Sequence, residues 1–193
     1  PLGVMRGELE GLIDGIIPND AGRLQSLHEE TTRLKQIVDA IEDLNQAEAS
    51  KLSLRLRAVV LKPFLDGIID RFLPLFQEKK VCLELRCGEE AEVAADPERL
   101  SQVVLNLLSN SLKATGEGGK VLVSVAQSIN EWAITVEDDG HGIREEDLPY
   151  VFERFYHGPG EGLGIGLTIV KELVDAHGGR VEVKSTYGKG SLF

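Results

Sequence analysis

Three stretches of this sequence combine residue types that can do chemistry. The first is Asn106-Leu-Leu-Ser-Asn110-Ser-Leu-Lys113, in a helical run over residues 97–113. Leu100, Val103, Val104, Leu107, Leu108 and Leu112 form its apolar stripe, while Arg99, Asn106, Asn110 and Lys113 cluster on another face at about 100° per residue. A solvated polar face is the simpler reading of the helix alone. Asparagine is a poor helix former, however, its carbonyl is a neutral hard-oxygen ligand for Mg²⁺, and lysine is a point charge for phosphate. The second stretch is Val136-Glu-Asp-Asp-Gly-His-Gly-Ile143, a strand-like run ending in D-x-G-x-G. It reads as a turn, or as a carboxylate, Asp138, placed to accept a hydrogen bond from an adenine amino group, with Gly140 and Gly142 admitting close backbone approach. The third, Glu161-Gly-Leu-Gly-Ile-Gly-Leu-Thr168, sets Gly162, Gly164 and Gly166 at the start of a helical run over residues 163–177. It is a flexible loop, or an anion site of helix N-terminal amides. No Gly-Lys-Ser/Thr follows it and no strand directly precedes it, so it is neither a Walker loop nor a dinucleotide fingerprint.

A fourth stretch is suggestive. Leu27-His-Glu-Glu-Thr-Thr-Arg-Leu34 places a histidine ahead of Glu and, four residues on, of Thr, a setting for a phosphate-accepting histidine or for an ordinary surface one.

The elements that must hold these residues fall into two parts. Leu2, Met5, Leu9, Leu12 and Ile16 repeat at 3-4-3-4 spacing, Pro18-Asn19-Asp20 breaks the pattern, and a second seam runs through Leu24, Leu27, Thr31, Leu34, Val38 and Ile41, widened by Ile37 and Leu44. This predicts an antiparallel helical hairpin over residues 1–51, with Asp20 a candidate N-cap. One seam against one seam is a thin core, so the expectation is half of a dimeric four-helix bundle, a homodimer through the hairpin. From residue 52 to 193 short alternating runs (52–57, 81–86, 121–125, 132–137, 180–184) read as strands, with helices over 61–79, 97–113 and 163–177. The last of these is stopped by Gly178-Gly179. Together they predict an α+β sandwich, a mostly antiparallel sheet with helices on one face.

Bulk properties set limits. A net charge of −11 on 193 residues argues against a nucleic-acid or anionic-membrane surface. No apolar run approaches the roughly 20 residues needed to span a bilayer, so membrane insertion is not expected. Cys82 and Cys87, at odd spacing in a strand-like run, fit no metal or redox pattern and suggest a reducing compartment.

The order of the stretches is more specific than any one of them. Asn106 to Lys113, Asp138 to Gly142, Phe152-Glu-Arg-Phe155 and Gly162 to Gly166 resemble the N, G1, F and G2 boxes of the sensor histidine kinases, which share the Bergerat ATP-binding fold. Asp96-Pro-Glu-Arg99 and Gly188-Lys-Gly-Ser-Leu-Phe193 are similar to the flanks of those boxes, and the hairpin is similar to the family's dimerisation and phosphoacceptor domain.

The resemblance implies ATP and Mg²⁺ as cofactors, with Asp138 on adenine, Asn110 on Mg²⁺, and Asn106 and Lys113 on the phosphate side. It implies an ATP lid between Phe155 and Gly162, Ser191 supporting the adenine site, and Gly140, Gly142, Ile143, Tyr156, Leu163, Gly164, Ile165, Gly166 and Leu167 completing the nucleotide site. It implies a response-regulator receiver domain as partner and a cytoplasmic location in a membrane-anchored parent protein. The family's acceptor pattern, His-Glu-x-x-Thr-Pro-Leu, would end at Pro1-Leu2. This places the acceptor histidine, its neighbouring acid and the phosphatase Thr upstream of Pro1, and the stretch itself would not autophosphorylate. His28 is then a decoy, with Arg33 where the pattern has Pro. His141, His157 and His177 read as structural, the last near a helix C-terminus that mildly favours a cation. Ala114 departs from the family's usual aromatic residue after the N-box Lys, and the lid is short.

Two other classes compete. The chaperone- and topoisomerase-type ATP hydrolases share the fold but carry an N-box Glu to activate water, and Asn106 is no base. A silent ATP-sensing dimerisation module would bind nucleotide without turnover.

Overall fold

A computed structural model describes residues 2–18, 20–50, 54–88, 91–127, 131–156 and 163–193, with the backbone alone for residues 2, 4, 33, 36, 40, 43, 44 and 46–50. The chain divides into two compact units, Pro1–Asn45 and Gln46–Phe193. Residues 51–53, which hold the expected boundary at 51/52, lie outside the described residues.

The first unit is helical. α1 spans Leu2–Ile13 and α2 Ala21–Ser50. α1 ends three residues before Ile16, the last residue of the expected seam. Gly15 takes φ +69°, and the amides of Ile16 and Ile17 both return to the carbonyl of Gly11, at 3.0 Å each. A glycine in the left-handed region is the usual helix stop, so the break comes at Gly15 rather than at Pro18. Asp20 caps α2 as expected, accepting from the Arg23 amide at 2.9 Å. Leu27 is buried, whereas Leu9, Ile13, Leu24, Val38 and Ile41 are exposed.

In the second unit β1 (Arg57–Val60) pairs antiparallel with β3 (Glu92–Ala95) as a separate two-stranded ribbon. The main sheet holds β2 (Cys82–Arg86), β4 (Lys120–Gln127), β5 (Trp132–Asp138), β6 (Lys184–Thr186) and β7 (Gly190–Leu192) in the order β2-β4-β5-β7-β6. Among the described strands only β2–β4 is parallel, and its crossover is supplied by β3 and α4 (Pro97–Ala114), as a parallel pair requires. The remaining helices are α3 (Leu61–Glu78) and α5 (Gly166–Ala176). The α+β class and the mostly antiparallel sheet are as expected from sequence.

Three details differ. Of the strand expected over 52–57, residues 52 and 53 lie outside the described residues and 54–56 are not strand, while β1 runs from Arg57 to Val60. The one expected over 180–184 starts at Lys184. β3 was not anticipated at all. Alternation shows which residues could pair, whereas the partner strand decides which do: β1 forms where Glu92–Ala95 lies beside it.

Period-two alternation fixes what faces inward. Val121 and Val123 of β4 and Val136 of β5 are fully buried. Val104, Leu107 and Leu108 of α4 and Ile169, Val170 and Leu173 of α5 are buried as well, and α4 packs against both β5 and α5. Glu137 faces out, so Asp138 returns to the inner face at the end of its strand, 4% exposed.

The helix ends that frame this core are capped. Asp96 starts α4 by accepting from the amides of Glu98 and Arg99, at 3.0 and 3.3 Å, with Pro97 in the first turn. At the far end Lys79 Nζ donates to the carbonyls of Leu112 and Lys113, at 2.6 and 3.2 Å. α5 ends in a Schellman motif: Gly178, φ +73°, donates to the Asp175 carbonyl and Gly179 to that of Val174, each at 3.0 Å. His177 does more than sit at a helix end. Its Nε2 accepts from the Asp96 amide at 3.0 Å, and its Nδ1 lies 2.7 Å from the Leu173 carbonyl. That geometry requires the Nδ1–H tautomer, and the structural role expected of His177 is a bridge between α5 and the start of α4.

Candidate nucleotide site

The inward turn of Asp138 buries a carboxylate, which is costly unless donors surround it. Its Oδ1 accepts from the Gly140 amide at 3.1 Å and its Oδ2 from the Ser111 hydroxyl at 3.2 Å. Burial pushes the carboxyl above its ordinary value, with the amides of Gly140 and Ser191 and the Ser111 hydroxyl pulling the other way. Ser191 is Asp138's cross-strand partner on β7 and is 7% exposed.

The turn after β5 is built tightly against neighbouring backbone. A Cβ on Gly140 would lie 2.5 Å from the Ala114 carbonyl oxygen, and that same oxygen accepts from the His141 amide at 3.2 Å. Gly142, at φ +66°, would put a Cβ 2.1 Å from the Thr186 carbonyl oxygen. Glycine is therefore required at both positions by the end of α4 on one side and the β6 turn on the other. Ile143, half-buried, donates its amide to Ser185 Oγ at 2.8 Å.

On α4, Asn106 and Asn110 are half-buried and Lys113 is exposed in the last turn. Asn106 Nδ2 donates to the Gln102 carbonyl one turn back at 2.9 Å, which turns Oδ1 toward α5. A Cβ on Gly166, the first residue of α5, would lie 3.1 Å from Asn106 Oδ1 and 3.9 Å from Asn110 Nδ2. The glycine at the head of α5 thus allows its amide end to sit against the two asparagines. α5 begins at Gly166 rather than at the expected 163. Gly164, φ +66°, is pressed against the backbone of Phe155 and Tyr156, and its carbonyl accepts from the Phe155 amide at 3.0 Å.

Phe155 is exposed and holds φ +62°, a conformation uncommon outside glycine. Tyr156 is half-buried and donates to Asp147 Oδ1. That bond, aided by burial, pushes its phenol up to about 12. Leu163 and Leu167 are half-buried, and Ile165 is 3% exposed, its side chain given over to the core. Gly162 and His157 lie outside the described residues. Asp138, Gly140 and Ser191 thus come together at one end of the sheet, and Asn106, Asn110 and Gly166 between α4 and α5.

Two residues escaped the sequence reading. Ser111 is fully buried, and its signal was available: it lies seven residues after Val104, on the apolar stripe, so a hydroxyl there needs a buried partner. Ser185 continues the alternation of Val181 and Val183 just past the expected strand. A groove of about 650 Å³ between Glu131, residues 132–135 of β5, residues 178–182 and the α4/α5 side chains shares none of the candidate site residues.

Residues 95–193 match the family described as Histidine kinase-, DNA gyrase B-, and HSP90-like ATPase, and the chain belongs to that family. It is 33% identical over 187 residues to the signal transduction histidine-protein kinase BaeS of Escherichia coli, covering 94% of this chain and 40% of BaeS. It is 31% identical over 203 residues to the sensor histidine kinase YclK of Bacillus subtilis, covering 100% of this chain and 42% of YclK. Among solved structures it resembles histidine kinase AdeS of Acinetobacter baumannii, with a TM-score of 0.78 and 25% identity over all of this chain and 92% of that one. ShkA in complex with AMPPNP gives a TM-score of 0.79 and 27% identity over 92% of this chain and 38% of that one. The chain spans about two fifths of the length of BaeS and YclK. Family, relatives and folds agree on a sensor histidine kinase ATP-binding core.

Proposed function

We propose that this core binds Mg·ATP and, with the N-terminal helices, directs the γ-phosphate to a histidine and then to an aspartate of a response-regulator receiver domain. The observation that carries the nucleotide reading is Asp138, a buried carboxylate held by neutral donors, an arrangement a ligand amine would complete. A charge-assisted bond of this kind contributes about 1.5–3 kcal/mol and rejects a base with a carbonyl at that edge. Gly140 and Gly142 keep the turn close to the base. Ile143, Phe155, Tyr156, Leu163 and Leu167 supply apolar surface around it, and the amides at Gly164 and Gly166 face the phosphates. Ser191 supports Asp138, while Asn106 and Lys113 serve the phosphate side.

Asn110 would hold Mg²⁺ through its side-chain oxygen, with Asn106 Oδ1 nearby. The described residues contain no group of three His, Cys, Asp or Glu suited to a metal. That fits an ion bound by one or two protein oxygens plus phosphates, and the bound ion would supply charge neutralisation during in-line transfer. The exposed apolar residues of α1 and α2 support the reading of those helices as a homodimerisation element. Among the described residues no helix is long and apolar enough to cross a membrane.

His28 is exposed on α2 and is not assigned the acceptor role. Following the γ-phosphate of labelled Mg·ATP tests the proposal. Label remaining on ATP, with transfer to a separately supplied acceptor helix, is the expected result. Label on His28 refutes the assignment of the acceptor, and steady phosphate release in place of transfer refutes the kinase reading in favour of a hydrolase.

A further inference from the structure

Asp138, Ser191 and Ser185 are successive cross-strand partners on β5, β7 and β6. Directly opposed residues project to the same face, so the three form one row. Ser185 Oγ lies 2.7 Å from the Gly190 carbonyl, to which it donates, 2.8 Å from the Ile143 amide, from which it accepts, and 3.0 Å from Ser191 Oγ. A serine hydroxyl has one hydrogen, and the Gly190 carbonyl takes it. The hydrogen between the two serines therefore belongs to Ser191, which spends it on Ser185 and keeps its lone pairs. Beside the acceptor-only carboxylate of Asp138, Ser191 becomes a second acceptor.

We infer that Ser185 is a positioning residue for base selection. By fixing the direction of the Ser191 hydroxyl it makes this edge of the site accept only, so that it takes a purine with an exocyclic amine and refuses one with a carbonyl there. Ser185 also ties the turn after Asp138, through Ile143, to the strand that carries Ser191. Removing the Ser185 hydroxyl releases Ser191 to rotate and donate, and a six-carbonyl then finds a partner. The inference rests on the adenine-site reading of Asp138 proposed above.

The test is calorimetric titration of the protein with ADP and with inosine diphosphate, which carries a carbonyl in place of the six-amine. Ser185→Ala is expected to lower the ADP-to-inosine-diphosphate affinity ratio roughly fivefold, the scale of one neutral hydrogen bond. Ser185→Thr, which restores a hydroxyl on a strand, keeps the ratio within about twofold. A merely structural role would move both affinities together or neither, and either pattern overturns the inference. Should Ser185→Ala not fold, Ser191→Ala carries the test: it deletes the second acceptor and must lower the same ratio, an unchanged ratio refuting the inference. Asp138→Asn separates the two levels. If it leaves ADP affinity intact, the adenine reading itself fails. If it weakens ADP while Ser185→Ala leaves the ratio untouched, only the role of Ser185 is lost.

Discussion

Asp138→Asn should separate binding from stability. The aspartate is 4% exposed and bonded to the Gly140 amide and the Ser111 hydroxyl. Asparagine matches it in shape and keeps one acceptor oxygen, but it replaces the second with a donor and removes the charge. The lost charge-assisted bond to a ligand amine corresponds to about 1.5–3 kcal/mol, so ADP affinity should fall roughly ten- to 150-fold. The unliganded fold should respond in the opposite sense. Burial raises the folded-state value of Asp138 above its ordinary one. Its contribution to stability is therefore fully present below the unfolded carboxylate value and is lost as pH rises through the raised folded value. At pH 7 the ionised group burdens the empty fold, and the neutral amide relieves it. Thermal melts should show the unliganded variant at or above the parent Tm, with a smaller upward shift on adding ADP. The parent's ADP affinity should also decline on acidification at a pH above that of an ordinary aspartate. A variant that melts well below the parent yet binds ADP as tightly would refute this account, because Asp138 would then be a structural carboxylate with no ligand to meet.

Gly140→Ala forces a Cβ to 2.5 Å from the Ala114 carbonyl oxygen, backbone against backbone, and should cost about 1–3 kcal/mol in denaturant unfolding. Gly166→Ala should behave differently: its Cβ meets only the Asn106 and Asn110 side chains, and alanine favours a helix. Stability should hold or rise by about 0.4–1 kcal/mol, while titration shows Mg·ATP affinity falling as Asn106 is displaced. His177→Ala removes the acceptor of the Asp96 amide and should cost about 1–3 kcal/mol of stability, with ADP affinity unchanged in the still-folded protein.

Much of this was legible in the sequence because local rules and the fold agree. The α4 stripe gave both the buried face and the asparagine face, and the D-x-G-x-G run marked Asp138 at the end of its strand. The misses arise where a partner decides. Glu92–Ala95 has two alanines and no run of strong strand formers, so only its pairing with β1 makes it a strand. Residues 180–183 alternate well, yet the paired part of β6 begins at Lys184. Pro18 was the conspicuous breaker, but Gly15 ended α1 first, since a left-handed glycine stops a helix before the next proline is reached. Ser185 continued the alternation, but its importance lies in bonds to Gly190 and Ser191 across a tight turn and to Ile143, 42 residues away, which alternation does not reveal.

The inward position of Asp138 makes the site a matter of parity. Inserting or deleting one residue between Val136 and Asp138 would rotate the carboxylate to the outer face while leaving the valine ladder of β4 and β5 undisturbed. A chain altered in that way would keep its core and lose its ligand in one step. A two-residue insertion in the same place would restore the side though not the depth. In this strand, function tolerates change in even steps before it tolerates change in kind.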